Sequence, residues 1–268
     1  MKIVACVKHV PDVQGDRAIA PDGRVLRDRG ECSLDEADQH TVEAALALAR
    51  TGGASGGAPD EVVVLTMGPP HAMTTLRRAL QMGADRGVLV TDPALAGSDV
   101  FATAAVLAAA VLALEADGDV DLVLTGASSS DGGMAVLPVL LAAELGLPWA
   151  SPATELTVAG GAARVRCDVA GGSELLDARL PAVVGVGRRL NRPRYPTSTT
   201  IRDARSGPVT TWTLAALCLD PARVGTVGAR VGVHGAERRT TDADRVLLED
   251  DGTAATALAT YLVEQGLA

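Results

Sequence analysis

The sequence predicts an α/β fold, a parallel sheet with helices on both faces, and three observations carry the prediction. First, short β-branched runs alternate with segments of helical period from Lys2 to Pro148. Strands separated by single helices pair in parallel beneath them. Second, the chain is 47% hydrophobic but only 2% aromatic, so its core must be Ala, Val and Leu packing, which suits helices lying on a sheet. Third, turns of Gly, Ala and Ser follow candidate strands, above all at Gly126–Gly133. Together these describe a Rossmann-like sheet, with a small antiparallel hairpin and an extended C-terminal arm added to it.

The elements follow in order. Lys2–Lys8 reads as the first strand, stopped by Pro11, which cannot donate to a ladder. Residues 14–33 are polar, with Pro21-Asp22-Gly23 as a turn between Ala18-Ile19-Ala20 and Arg24-Val25-Leu26, a small hairpin outside the main sheet. Ser33-Leu34-Asp35-Glu36 opens a helix whose Val42, Ala45, Leu46 and Ala49 share a face, and Gly52-Gly53 ends it. Glu61–Thr66 is a strand closing at Met67-Gly68-Pro69, followed by a helix with Met73, Leu76 and Leu80 inward and Arg77 and Arg78 outward. A strand from Gly87 and a helix over Asp99–Glu115 come next. Asp121-Leu-Val-Leu is again a buried strand. The small-residue turn then leads to a helix from Met134, with Val136, Leu137, Leu140, Leu141 and Leu145 at helical spacing and Ser130 or Asp131 as its cap.

Beyond Pro148 the pattern changes. Thr154–Val169 alternates like an antiparallel hairpin turning at Gly160-Gly161, and Leu180–Val186 is a further strand entered through Pro181. Residues 187–208 are rich in Arg, Pro and Gly without a regular pattern, and so long a segment is usually functional or mobile. Residues 210–252 read as an arm with no core of its own, and Ala257, Leu258, Tyr261 and Leu262 mark a last amphipathic helix. The expected division is 1–209, an α/β nucleotide-binding domain, and 210–268, an arm and helix that pack on another molecule.

Composition removes several classes of function. Lys and Arg number 24 against 33 Asp and Glu, a net charge of −9, so a nucleic-acid backbone is not the expected partner. Cys6, Cys32, Cys167 and Cys218 lie far apart, which fits free thiols in a reducing, cytoplasmic compartment rather than a disulfide framework. The apolar start is too short for a signal peptide, and Val100–Leu114 is too short to cross a bilayer comfortably. The expectation is a soluble protein, not embedded in a membrane. No Gly-x-Gly-x-x-Gly follows the first strand, no Walker loop or Gly-x-Ser-x-Gly elbow occurs, and His9, His40, His71 and His234 never reach metal-ligand spacing. No metal and no catalytic group are expected.

In such sheets ligands sit at the carboxyl ends of strands, where the winding reverses; Cys6, Met67 and Gly126 lie at such ends. The turn after Gly126 reads either as a phosphate cradle at a helix N-terminus or as a plain strand-to-helix turn. Asp35, Glu36 and Asp38 read either as charge favouring the positive helix end or as polar groups facing the same crevice. Ser128, Ser129 and Ser130 have no base beside them in sequence, so their hydroxyls suit contact with phosphate or ribose better than nucleophilic attack.

Five segments then carry a family resemblance in order: VKHVPD, LDEADQHTVEAALAL, VLTMGPPHAMTTLRRALQMGADRGVLV, DLVLTGASSSDGG with AELGLP, and LPAVVGVGRRLNRPRYPT. They resemble the β subunit of electron transfer flavoproteins over nearly the whole chain. The resemblance implies an adenine-nucleotide-binding type of fold and a heterodimer with an α subunit that holds most of the FAD. It implies electrons taken from flavin dehydrogenases and passed toward a membrane quinone oxidoreductase, with no catalysis by the β subunit itself. It implies AMP as a structural ligand, with contacts carried onto Cys6, Asp35, Glu36, Ala37, Asp38, Met67, Gly126, Ala127, Ser128, Ser129, Ser130, Asp131, Gly132, Gly133, Met134, Ala135, Val136 and Leu137. Val13 and Ala37 take the places nearest the flavin. The family's docking loop falls on Leu190, Asn191, Arg192, Pro193, Arg194, Tyr195, Ser198 and Ile201. The arm from 210 corresponds to the part that wraps the α subunit. Departures stand beside the match: where many members read Asp-Gly-Asp-Thr-Gly-Gln, this chain has Asp131-Gly132-Gly133-Met134-Ala135-Val136, and Ser198 lies near the usual apolar anchor. The alternative is a stand-alone adenine-nucleotide-binding module of the stress-protein kind.

Overall fold

The computed structural model describes residues 1–12, 19–20, 23–27, 32–52, 60–235 and 247–267. The chain divides into two compact units, Met1–Gly235 and Ala236–Ala268. In the first, strands and helices alternate as β1 (Lys2–Cys6), β2 (His9–Pro11), β3 (Cys32–Leu34), α1 (Glu36–Gly52), β4 (Glu61–Met67), α2 (Met73–Met82), β5 (Arg86–Val90), α3 (Val100–Leu114), β6 (Leu122–Gly126) and α4 (Leu137–Leu145). Then come β7 (Trp149–Ala159), β8 (Ala162–Val169), β9 (Gly172–Arg179), β10 (Ala182–Val186), α5 (Ser198–Asp203), β11 (Val209–Trp212) and the short α6 (Gly225–Gly228). In the second unit the described residues contain one helix, α7 (Ala254–Glu264), none of whose residues is buried.

The main sheet runs β11-β5-β4-β1-β6-β10-β7-β8-β9. It is parallel from β11 through β7, and β8 and β9 are added antiparallel at one edge. β1 is buried along its whole length because both faces are covered. Alternation along it sends Ile3 and Ala5 to a core shared with Val42 and Leu46 of α1 and Leu76 and Leu80 of α2. Val4 and Cys6 go to the opposite core, with Val106, Leu107 and Val111 of α3 and Leu141 of α4. α3 meets the length and composition of a membrane span together with its following turn, yet Ala102, Ala104, Val106, Ala110 and Leu114 are buried against the sheet. It is a core helix.

The chain leaves β1 for β4 and β5 on one side and returns to place β6 on the other. The winding therefore reverses between β1 and β6, whose carboxyl ends are Cys6 and Gly126. This is the crevice where such sheets take ligands.

Several elements differ from the sequence expectation. Ser33 and Leu34 are not the start of a helix but part of β3, which pairs antiparallel with β2 as a separate small sheet. The main strand ends at Cys6, before the predicted Lys8, and His9–Pro11 then needs another partner for its amides and carbonyls. The expected hairpin survives as one bridge between Ile19 and Val25; its Pro21 and Asp22 lie outside the described residues. Gly160 and Gly161, with φ of 59° and 75°, make the predicted tight turn, since both central residues of that turn need positive φ. β9 was not expected. Its Ser173, Leu175 and Leu176 are exposed, so it lacks the buried alternation by which a strand is read. β11 adds a strand parallel to β5, and Leu214, Leu217 and Val224 are buried in the core. The stretch 210–224, read from sequence as part of the arm, thus lies in the first unit. A few apolar side chains at irregular spacing suffice there, because the edge strand needs only one covered face.

Candidate functional site

Asp35 stands at the head of α1. Its carboxyl accepts from the amide of Ala37 (3.0 Å) and, across the crevice, from the amide of Ser130 (2.7 Å). One side chain therefore satisfies a free helix amide and pins the loop that follows β6. One turn on, Asp38 is buried and accepts from the backbone amide of Lys8 at 2.7 Å. Burial, and then the neighbouring Asp35, push the Asp38 carboxyl up to about 8, so it holds its proton at neutral pH. That argues against simple helix-dipole charge for Asp38. Burial, followed by Asp38, pushes the Cys6 thiol up to about 12; Cys6 is an inert wall of the crevice rather than a nucleophile.

Gly126 is required here. A Cβ built on it would overlap the Oδ1 of Asp38, so only glycine lets β6 end against α1. The next amide, Ala127, still donates to Val186 of β10 at 3.0 Å. The loop then turns around Ser129, whose hydroxyl accepts from Gly132 (3.3 Å) and from the Lys8 ammonium (3.1 Å).

Asp131 was expected to cap α4, or Ser130 in its place, and neither does. The Asp131 carboxyl is paired with Lys8 Nζ (2.6 Å) and with Arg27, through Nε at 3.0 Å and also Nη2. Burial alone would raise it, but Lys8 and Arg27 hold it down to about 2. Two cations outcompete the helix end because a charged partner gives a stronger bond than a neutral amide. α4 starts later than predicted, at Leu137, with Val136 at its cap position and no side-chain cap bond. Gly133 and Ala135 both have positive φ, 63° and 55°, and residues 132–135 are exposed. For Ala135 this is a costly backbone state of the kind kept where the surroundings demand it.

These features bear directly on whether an adenine nucleotide fits. An uncapped nine-residue helix leaves free amides at its positive end, which suits a phosphate. The amides of Ser130, Gly132 and Gly133 are already used within the chain. A phosphate would accordingly rest on backbone donors from Met134 to Leu137. Asp131 is neutralised by its two cations and Asp38 holds its proton, so neither opposes an anion there. The residues present fit the group, through backbone rather than side chains.

Not every predicted residue joins the crevice. Glu36 is exposed, Ala37 is buried within the first turn of α1, and Val13 lies outside the described residues. Met67 is half-buried at the end of β4 and packs toward the α3 face. Lys8 and Arg27, which hold the loop, went unrecognised because nothing in sequence spacing links residues 8 and 27 to 131. His9 is buried, with Nδ1 2.8 Å from Thr75 Oγ1 and its ring edge-on to His71. Burial, then the charges of His71 and Arg27, lower it to about 4.

The Arg-rich segment is anchored at both ends. The Arg194 guanidinium makes a two-pronged bond to Glu43 of α1 (Nε 2.6 Å, Nη2 2.8 Å), and its backbone amide donates to the same carboxylate at 3.1 Å. Asn191 Nδ2 donates to the carbonyl of His40 (2.9 Å), and His40 Nδ1 donates back to Asn191 O and Oδ1 (3.1 Å each). At the far end Arg77 of α2 holds the carbonyls of Ala204 (2.9 Å) and Gly207 (2.6 Å). Leu190 packs against the core. Tyr195 is 93% exposed and Ile201 38%, and Ser198 opens α5 after a Thr197–Thr200 capping box.

A sequence profile described as the electron transfer flavoprotein domain matches residues 23–217. The chain is 36% identical over 267 residues to the electron transfer flavoprotein subunit beta of Mycobacterium leprae, covering 98% of each chain. It is 34% identical over 265 residues to the same-named protein of Mycobacterium tuberculosis H37Rv, again at 98% coverage of each. It is also 33% identical over 225 residues to the caffeyl-CoA reductase-Etf complex subunit CarD of Acetobacterium woodii, covering 84% of this chain and 83% of that one.

Proposed function

The chain belongs to the electron transfer flavoprotein family, on the β-subunit side, and from that premise we propose that it is the β half of a heterodimer with an α subunit. In this reading it carries no catalytic residue. FAD, shared with and mainly held by the α subunit, supplies the redox chemistry when bound, accepting electrons from flavin dehydrogenases for delivery toward a membrane quinone oxidoreductase. The chain's own residues cover one side of that group, present Tyr195 to Ile201 to the dehydrogenase, and seat AMP as a structural ligand at the head of α4.

Likeness to β subunits over 98% of both chains is the observation that carries the reading. The name of the Acetobacterium relative joins it to a reductase complex, and we extend to this chain a comparable association with a donor enzyme. The anchored segment after β10 supports a docking role, since a surface held at both ends keeps its shape for a partner at little entropic cost.

Co-expression with an α subunit tests the proposal. We expect a heterodimer on size-exclusion chromatography. Denaturing it should release FAD in amounts equal to the heterodimer, and AMP beside it, both identified by mass spectrometry. A chain that stays monomeric and flavin-free in that experiment overturns the reading. If it also binds adenine nucleotide tightly alone, the stand-alone module takes its place.

A further inference from the structure

The docking segment has no regular structure between the end of β10 at Val186 and the start of α5 at Ser198. Its shape must therefore come from contacts outside itself. Midway along it, one side chain of α1 takes three hydrogen bonds. Glu43 accepts the fork of Arg194 and the Arg194 backbone amide. The side chains are 13% exposed for Glu43 and 29% for Arg194, so water competes weakly with the pair. One turn earlier on the same helix, His40 exchanges bonds with Asn191. The next residue after Arg194 is Tyr195, the most exposed large hydrophobic side chain among the described residues.

We propose that Glu43 is a positioning residue for docking: by holding both the guanidinium and the amide of Arg194, it sets where Tyr195 stands and so governs how well a flavin dehydrogenase engages this face. The inference rests on the docking role proposed above. A guanidinium fork fixes direction as well as distance, which a lysine or a single hydrogen bond does not. The bond to the Arg194 amide also fixes the peptide plane between Pro193 and Arg194, directly before the residue that carries the chain into Tyr195. Because Glu43 lies on α1, about two turns after Asp35, the segment is referenced to the rigid body of the sheet rather than to its own irregular chain.

The experiment uses the reconstituted heterodimer with Glu43→Ala, Glu43→Gln, Arg194→Lys and the charge-reversed pair Glu43→Arg with Arg194→Glu. FAD content, heterodimer elution and melting temperature are measured first. The readouts of positioning are trypsin cleavage after Arg194, followed by mass spectrometry, and steady-state reduction by a flavin dehydrogenase selected from a panel because it reduces the wild-type heterodimer. We expect Glu43→Ala to raise the KM for the heterodimer about tenfold, with kcat unchanged, as for loss of one charged two-pronged bond. Cleavage after Arg194 should rise by a similar factor in Glu43→Ala. Glu43→Gln and Arg194→Lys should fall between, and the charge-reversed pair, whose Glu43→Arg side chain cannot accept the amide of residue 194, should recover only part of the lost KM. Wild-type KM and wild-type cleavage in Glu43→Ala overturn the proposal. So does loss of FAD or of the heterodimer, which would make Glu43 a folding residue. If no dehydrogenase reduces the wild type, the docking role fails instead, and the proteolysis alone then decides whether Glu43 orders the segment.

Discussion

Asp38 and Asp131 lie in one crevice and respond to pH in opposite senses. Asp38 is pushed up to about 8 by burial and by Asp35, so the folded chain keeps a proton that the unfolded chain releases near the ordinary carboxylate value. Stability is then greatest below that value and falls as pH rises toward about 8, with a slope of up to about 1.4 kcal/mol per pH unit. Asp38→Asn keeps an acceptor for the Lys8 amide and cannot ionise. Thermal melts should show a flatter decline from about pH 5 to 8 in this variant, and a higher melting temperature than wild type at the upper end. An unchanged slope would place the charge elsewhere. Asp131 is held down to about 2 by Lys8 and Arg27 against its own burial, so its stabilisation is present above the ordinary value and lost as pH falls toward 2. Asp131→Asn should melt below wild type at neutral pH, with the gap narrowing below about pH 4 and closing only near about pH 2. Of this pairing the sequence displayed only the acidic residues. Their partners, Lys8 and Arg27, come from segments that meet only in the folded chain.

The strand-turn-helix from Leu122 to Leu145 was legible as an element, and its glycine-rich turn was legible as a possible cradle, because small residues and helical period are local signals. Where α4 begins was not. Asp131 is a good cap by residue type, and only the two cations waiting across the crevice divert it. The same turn yields a pair of contrasting predictions. Gly126→Ala forces a Cβ onto the Asp38 carboxyl, and should destabilise the chain by about 1–3 kcal/mol, as overpacking of a tight site does. Ala135→Gly removes a side chain from a backbone at φ 55°, and should stabilise by about 1 kcal/mol, seen as a rise of a few degrees in melting temperature. If Ala135→Gly also weakens AMP retention while raising stability, the strain at this residue serves to hold the loop amides in place. Equal retention would make it a packing consequence alone.

At the scale of the molecule, the parallel sheet was legible because its strands are buried on both faces and read as continuous apolar runs. β9 and β11 escaped for the converse reason: each is an end strand of the sheet, with too few buried side chains to make a pattern. The same logic applies to the second unit. α7 is an 11-residue helix with no buried residue, and Leu258, Tyr261 and Val263 are exposed. A helix this short gains little from its own hydrogen bonds, and in water it is marginal unless an apolar face is covered. We therefore expect the amides of 254–264 to exchange with deuterium within seconds in the isolated chain, while those of β1 and β4 stay protected. On reconstitution with the α subunit, exchange across 254–264 should slow by at least about tenfold, since only a partner surface can then supply the missing burial. Exchange equally fast in both states would mean that α7 packs on nothing in the heterodimer. The place of this segment as the part that wraps the α subunit would then be lost, while the β1–β6 crevice and the segment held by Glu43 would stand unaffected.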